Sequence, residues 1–336
     1  MNKLITMQEA VKKYTWDGIT FAHGGALPVG SDCTEFFREL VRQEVKNIHL
    51  VSNSNTPGTN LLIANGQTSH IEMGFSGLEV YGFANGLRRK VEAGEVIFEE
   101  YSNGGIPLRL LAGALGIPFI PTYTSVGSDQ QFCFAEEPDI YPNPNKIPEI
   151  SDPFSGKTLG ALKSINPDLA VIHVTMADIR GNAIILGTEW SRFELSRAAK
   201  KVILQADYIV DTECMRQFPN LVRIPDFLVE AVVYSPLGVW PSCSTGVYDS
   251  DEEHFFLMNE SLKTDEGTQS YIDEYVLSYH STEEYRELIG TEKTGQLTAS
   301  NTAFLMDPYR KYIKSDVEIN ELLAREESQW TTQKTK

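Results

Sequence analysis

The chain has 336 residues, 41% apolar and 22% charged, enough for one large core or two modest ones. Acidic residues outnumber basic ones 46 to 29, and the formal charge of −17 argues against nucleic-acid binding and makes any anionic ligand depend on a local basic patch or a partner's charge. No apolar run approaches the roughly 20 residues of a membrane helix, the amphipathic opening MNKLITMQEAVKKYTWDG has no secretory h-region, and Cys33, Cys133, Cys214 and Cys243 form no C-x-x-C pair, so a cytoplasmic protein with reduced thiols and no metal is expected.

Ile19–Ala22 alternates as a strand and runs into His23-Gly24-Gly25. A glycine pair between a strand and a helix has two readings. One is a tight turn with positive φ; the other is backbone N–H groups turned toward a ligand oxygen, aided by the following helix. The pair is neither a P-loop nor G-x-G-x-x-G, so those nucleotide motifs are unsupported. SDCTEFFRELVRQEVKN then reads as a helix, with Asp32 and Glu35 at capping-box spacing and Phe36, Phe37, Leu40, Val41 and Val45 on one face. IHLVS is the next strand. EVIF is another, ending at Glu99-Glu100, of which only one can face inward; Glu100 is the expected one, as a candidate nucleophile or base at a strand end. GIPLRLLAGALG is a helix with proline in its first turn and glycine at its end, and IPFIPT follows as an extended run. Strands alternating with helices predict an α/β domain with an open, mainly parallel sheet and flanking helices.

Between about residues 136 and 167 six of the sixteen prolines crowd together, marking either an ordered excursion or a linker. In DLAVIHVTMADIRGNAIILG, Asp178 to Asn182 carry the turn residues of a hairpin, and KVILQADYIVD and FLVEAVVYSP read as further strands. From Asp251 the chain is polar, with helical stretches such as STEEYRELIG and SDVEINELLAREESQW; a main domain over 1–300 and a helical extension over 301–336 are expected. Asp249, Asp251 and His254 fit no EF-hand, since the sixth loop position is His254 and not glycine, and no second histidine supports zinc. His173, inside an apolar strand, reads as a hydrogen-bonded core residue, whereas His23 abuts the glycine pair and is a candidate lining residue.

Taken in order, WDGITFAHGGA, FRELVRQEVKNIHLVSN, GFSGLEVYGFANGLRRKVEAGEVIFEEYS, AGALGIPFIPT, SVGSD, DPFSGKTLGALKSINPDLAVIHVTMADIRGNAIILG, AAKKVILQADYIV and IPDFLVEAVVYSPLGVWPSCSTGVYDSDEEH resemble the A (α) subunit of family I coenzyme A transferases, of the glutaconate type, over roughly residues 8 to 290. The resemblance implies the CoA-transferase (sugar-phosphate isomerase-like) fold. It also implies a homologous B subunit, paired as A–B and assembled as A2B2 or A4B4, whose glutamate forms a glutamyl-CoA thioester while CoA passes between carboxylic acids. Coenzyme A thioester is then substrate, with no resident cofactor.

The glutamate-asparagine-glycine segment of the nucleophile is missing here, so no catalytic residue is expected in this chain. Gly24, Gly25, His23, Ser76 and Gly77 are the implied substrate-binding residues. Ala26 replaces the usual phenylalanine and LPVGSD departs from the glutaconate-type continuation, which puts the acyl specificity in question. Two alternatives carry less of the pattern. Ring-cleaving hydrolase relatives depend on a glutamate that Glu100 would match, but they carry an arginine after the PFxP run where this chain has Thr122 and Tyr123. A regulator built on the isomerase-like fold would need a basic N-terminal helix pair for which the first 20 residues are too short.

Overall fold

The computed structural model describes residues 2–25 and 30–324. Its strands are β1 (Leu4–Ile5), β2 (Thr20–His23), β3 (Ile48–Ser54), β4 (Thr68–Phe75), β5 (Ile97–Glu100), β6 (Phe119–Thr122), β7 (Glu149–Ser151) and β8 (Thr158–Lys163). They continue with β9 (Leu169–Asp178), β10 (Ala183–Ile184), β11 (Val202–Val210), β12 (Val222–Ile224) and β13 (Ala231–Tyr234). The large sheet runs β1-β13-β11-β9-β2-β3-β4-β5, with every neighbouring pair parallel. β10 and β12 add an antiparallel flank to β9.

Successive strand residues point to opposite faces, and two cores follow from that alternation. Phe21, Leu50, Ile71, Val171 and Val233 fill one face, under the helices Met7–Tyr14, Thr34–Arg42, Pro57–Ala64 and Asn85–Glu92. Ala22, Val51, Ile172, Leu204 and Val232 fill the other, with Ile106 and Leu110 of the helix Gly105–Ala114 and Leu195 of Arg192–Ala198. Fully buried side chains of the size of Phe21 or Leu50 each contribute about 1.5–3 kcal/mol.

The helix Thr34–Arg42 departs from the one-sided pattern of its sequence: Thr34 through Val41 are all buried. Helices from the chain's last third cover the side that carries Arg38. Its guanidinium is 0% exposed, 3.0 Å from the Tyr285 hydroxyl and 3.3 Å from Glu35, under the Trp240 ring. The expected Asp32–Glu35 capping box does not form. Cys33 is the N-cap, without a side-chain bond, and the Glu35 carboxylate turns instead to Arg38, Arg42 and Tyr279. Capping boxes occur at Thr6–Glu9 and Thr56–Thr59.

IPFIPT is extended but does not enter the parallel sheet. β6 pairs antiparallel with β8, and β8 with β7, so the proline-rich segment carries a small sheet of its own. Ile147 and Leu162 of that segment pack into the second core, and the chain then returns to the large sheet at β9. The hairpin over 178–182 is built by Asp178, whose carboxylate accepts the N–H groups of Arg180, Gly181 and Asn182 at 2.9–3.0 Å while Gly181 takes φ +101. In the C-terminal stretch, Asp211 N–H donates to Tyr312 and Lys314 N–H to Ile209, and Ile319 is buried against the sheet. The segment 301–324 therefore lies on the body of the domain. Among the described residues no helix is long and apolar enough to cross a membrane.

Asp249, Asp251 and His254 have separate structural tasks. Asp251 caps the helix Glu252–Ser261 and accepts from Trp240 Nε1 at 3.1 Å, and His254 Nε2 lies 2.9 Å from the Tyr271 hydroxyl. Burial, with Arg38 and Lys293 nearby, pushes the His254 pKa from 6.5 to about 2. The unfolded chain then binds this proton more readily than the folded one. Its contribution to stability is complete above pH 6.5 and falls away as pH drops from 6.5 toward 2, by up to about 1.4 kcal/mol per pH unit. Replacing His254 with glutamine is expected to flatten the fall of the melting temperature between pH 6.5 and 4.5; an unchanged slope would place the acid sensitivity elsewhere.

Candidate active site

In an open parallel sheet, ligands bind beyond the carboxyl ends of the strands. Here β2 to β5 lie side by side and end together, setting His23, Ser54, Phe75 and Glu100 along one edge. His23 Nε2 lies 2.7 Å from Ser52 Oγ, whose hydroxyl reaches the Ser54 carbonyl at 2.5 Å. His23 Nδ1 accepts the Gly25 N–H at 3.2 Å and faces Asp32 at 3.4 Å. Burial lowers the pKa of this ring although Asp32 opposes it, so the neutral form with Nε2 as donor fits both bonds. Asp32, fully buried, accepts N–H bonds from Cys33 and Gly58 at 2.7 Å each and the Thr34 hydroxyl at 3.1 Å. One carboxylate thus ties the chain after β2 to the start of the helix Pro57–Ala64.

The glycine pair differs from both sequence readings. Neither Gly24 nor Gly25 has positive φ. Close approach is what demands them: a Cβ on Gly24 would stand 2.7 Å from Arg192 Cγ, and one on Gly25 would stand 2.9 Å from the His23 ring. The two amides expected to face an acyl oxygen are engaged inside the chain, Gly24 N–H with Val171 O at 3.0 Å and Gly25 N–H with His23. Ala26 and residues 27–29 lie outside the described residues.

Ser76 and Gly77 follow β4 on the same edge, Ser76 exposed and Gly77 bridged to Phe83. Gly74 lets the neighbouring strand ends close in, since a Cβ there would meet Asn53 O at 2.8 Å and Ser102 O at 3.0 Å. Sequence reasoning missed the end of β3. Asn53 Oδ1 and Asn55 Nδ2 are buried there without a hydrogen-bond partner. The run SNSNTPG, polar and ending in a helix-start signal, is the feature that could have exposed it.

The glutamate expectation is reversed. Glu99 is the buried one, 2% exposed, with Lys146 Nζ at 2.5 Å and the Ala135 N–H at 2.6 Å. Burial raises its pKa against the pull of Lys146. Glu100 points to solvent. The reason lies far along the chain: residues 133–146 cover the face of β5 that carries Glu99 and leave the other open. The basic run is also occupied. Arg88 pairs with Glu92, Arg89 with Asp265, and Lys90 with Glu95. Replacing Arg88 and Arg89 with alanine is therefore expected to leave the affinity for CoA within about twofold, since surface pairs of this kind contribute ~0–1 kcal/mol; calorimetric titration with CoA checks it, and a tenfold loss would show that the run holds the ligand.

An open parallel α/β sheet with a glycine pair, a buried histidine and polar strand ends on its carboxyl edge defines a ligand-binding protein of the doubly wound class. The Coenzyme A transferase family model matches residues 4–235, and the chain belongs to that family. An uncharacterized protein of Archaeoglobus fulgidus is 35% identical over 87% of this chain, which spans 63% of that protein's length. The A subunit of the 3-oxoadipate CoA-transferase of Pseudomonas knackmussii is 30% identical over 87% of this chain and 100% of its own. The crystal structure of glutaconate coenzyme A-transferase from Acidaminococcus fermentans superposes with a TM-score of 0.82 at 26% identity, covering 88% of this chain and 96% of that one.

Proposed function

We propose that this chain is the A subunit of a heteromeric CoA-transferase. It would move CoA between an acyl-CoA and a carboxylic acid, a dicarboxylate such as glutaconate or a 3-oxoacid, with the homologous B subunit carrying the glutamyl-CoA thioester. Attack on a thioester by a carboxylate requires that the carboxylate be held in place and the developing oxyanion stabilised. The observation that carries the reading is the condition of the edge glutamates. Glu99 is committed to Lys146, and no side chain among the described residues holds Glu100. The edge is shaped for a ligand, with His23, Gly24, Gly25, Ser76 and Gly77 lining it, while the nucleophile comes from the partner. The relative from Pseudomonas knackmussii, itself one component of a two-part transferase by its name, supports that division.

The test is activity with and without the partner. This chain, co-expressed with the B-type subunit of its own genome, is expected to exchange CoA between acetyl-CoA or succinyl-CoA and an added carboxylate, and to be inactive alone. Hydrolysis of the thioester without an acceptor, abolished by Glu100→Gln, would replace the transferase reading with a hydrolase one.

A further inference from the structure

β9 is longer than the strands that meet it on one edge. β2 pairs with it only as far as Val171, and β10 takes over at Met176. Carbonyls two residues apart point to the same edge of a strand, so between these partners the His173 carbonyl has no strand to bond. Arg192 fills the gap. Its Nη1 donates to His173 O at 3.0 Å, its Nε to Glu189 O at 3.1 Å, and its Nη2 to Thr188 O. Its stem lies against Gly24, and the residue is 2% exposed.

Filling the gap needs donors but not a charge, and this charge has no counterpart. Among the described residues Arg192 forms no ion pair, and the nearby acid Glu189 is already held by Arg223, Nη2 to Oε2 at 2.9 Å. Burial holds the Arg192 pKa down to about 10, which still leaves a cation at neutral pH. Removing a cation from water is costly, and carbonyl dipoles offset only part of the cost. An anion in front of Gly24 would supply the missing charge. That also bears on how a chain of charge −17 admits acidic substrates when its exposed basic run is already paired.

We infer that Arg192 is a positioning residue for CoA transfer: it backs the glycine pair with a dry positive charge that favours a carboxylate, or the oxyanion of thioester attack, at this end of β2. The inference rests on the proposed transferase reading and adds to it the source of the electrostatic bias, since both glycine amides are engaged.

Cys33 gives a test that leaves Arg192 and its three bonds in place. It is fully buried, stands among the groups around the Arg192 guanidinium, and is the N-cap of the helix Thr34–Arg42, a position that suits aspartate and serine alike. In the assembled A–B enzyme, Cys33→Asp supplies the missing counter-charge and Cys33→Ser does not. With acetyl-CoA and succinyl-CoA as donors, Cys33→Asp is expected to lose at least 100-fold in kcat relative to Cys33→Ser, with KM for the thioester within threefold and a melting temperature no lower. Arg192→Lys should stay within tenfold of wild type in kcat where Arg192→Met falls 100-fold or more. Equal kcat for the two Cys33 variants, or equal losses in Arg192→Lys and a folded Arg192→Met, would reduce Arg192 to a plug. Should Arg192→Met fail to fold, the Cys33 pair decides. If the wild-type complex moves no CoA, the transferase reading has failed by itself. Calorimetric binding of succinate, kept in Cys33→Ser and lost in Cys33→Asp, then still decides the role of the charge.

Discussion

Replacing Asp32 with alanine is expected to lower stability by about 3–5 kcal/mol, a large part of what a domain of this kind has to lose. Its carboxylate satisfies two backbone N–H groups and one hydroxyl in a fully buried place, and each donor left unpaired costs about 1–3 kcal/mol. Asparagine keeps an oxygen acceptor and should lose roughly half as much. The functional effect should exceed the stability effect in conditions where the variant is still folded. Asp32 fixes both the His23 side of the glycine pair and the start of the helix behind β3. Urea denaturation followed by circular dichroism checks the first number. A loss under 1 kcal/mol would mean that water replaces the carboxylate and that the tie is not structural.

Glu99→Ala carries a similar expected penalty for a different reason. It leaves Lys146, 1% exposed at its side chain, as a buried cation bonded only to the carbonyls of Glu100 and Cys133. Breaking a buried pair by removing one partner typically costs about 3–5 kcal/mol, whereas replacing both with apolar groups is often neutral. The double variant Glu99→Leu, Lys146→Met should therefore recover at least half of the single loss, a coupling that a double-mutant cycle measures directly. Additive losses would contradict the pairing. The partner-borne nucleophile adds a further expectation: at temperatures where the Glu99 variants are folded, kcat should fall far less than stability does.

The strands were legible because the signal for them is local. Alternation over Ile19–Ala22, Ile48–Ser52 and the run from Val202 is read residue by residue, and each appears within two positions of its expected place. The glycine pair was legible as a site of close backbone approach but not in its cause. The atoms that exclude a Cβ belong to His23 and to Arg192, which lies 168 positions beyond Gly24. The choice between Glu99 and Glu100 failed for a related reason. Strand alternation says that the two point opposite ways, but which face is covered depends on residues 133–146 folding back over β5. Asp32 showed only its local helix-capping character, and its bond to Gly58 becomes visible only when β3 is placed beside β2. Periodicity and turn chemistry thus convey the layers, whereas the polar contacts of the site depend on long-range pairing.

The central claim is that this chain shapes the acyl site while the partner supplies the nucleophile. Intact mass measurement of both chains, after incubating the A–B complex briefly with acyl-CoA and no acceptor, tests it most directly. A CoA-sized increment on the partner, discharged when a carboxylate is added, and an unmodified mass for this chain are the predicted result. An increment on this chain, or free CoA released with neither chain modified, would contradict the account.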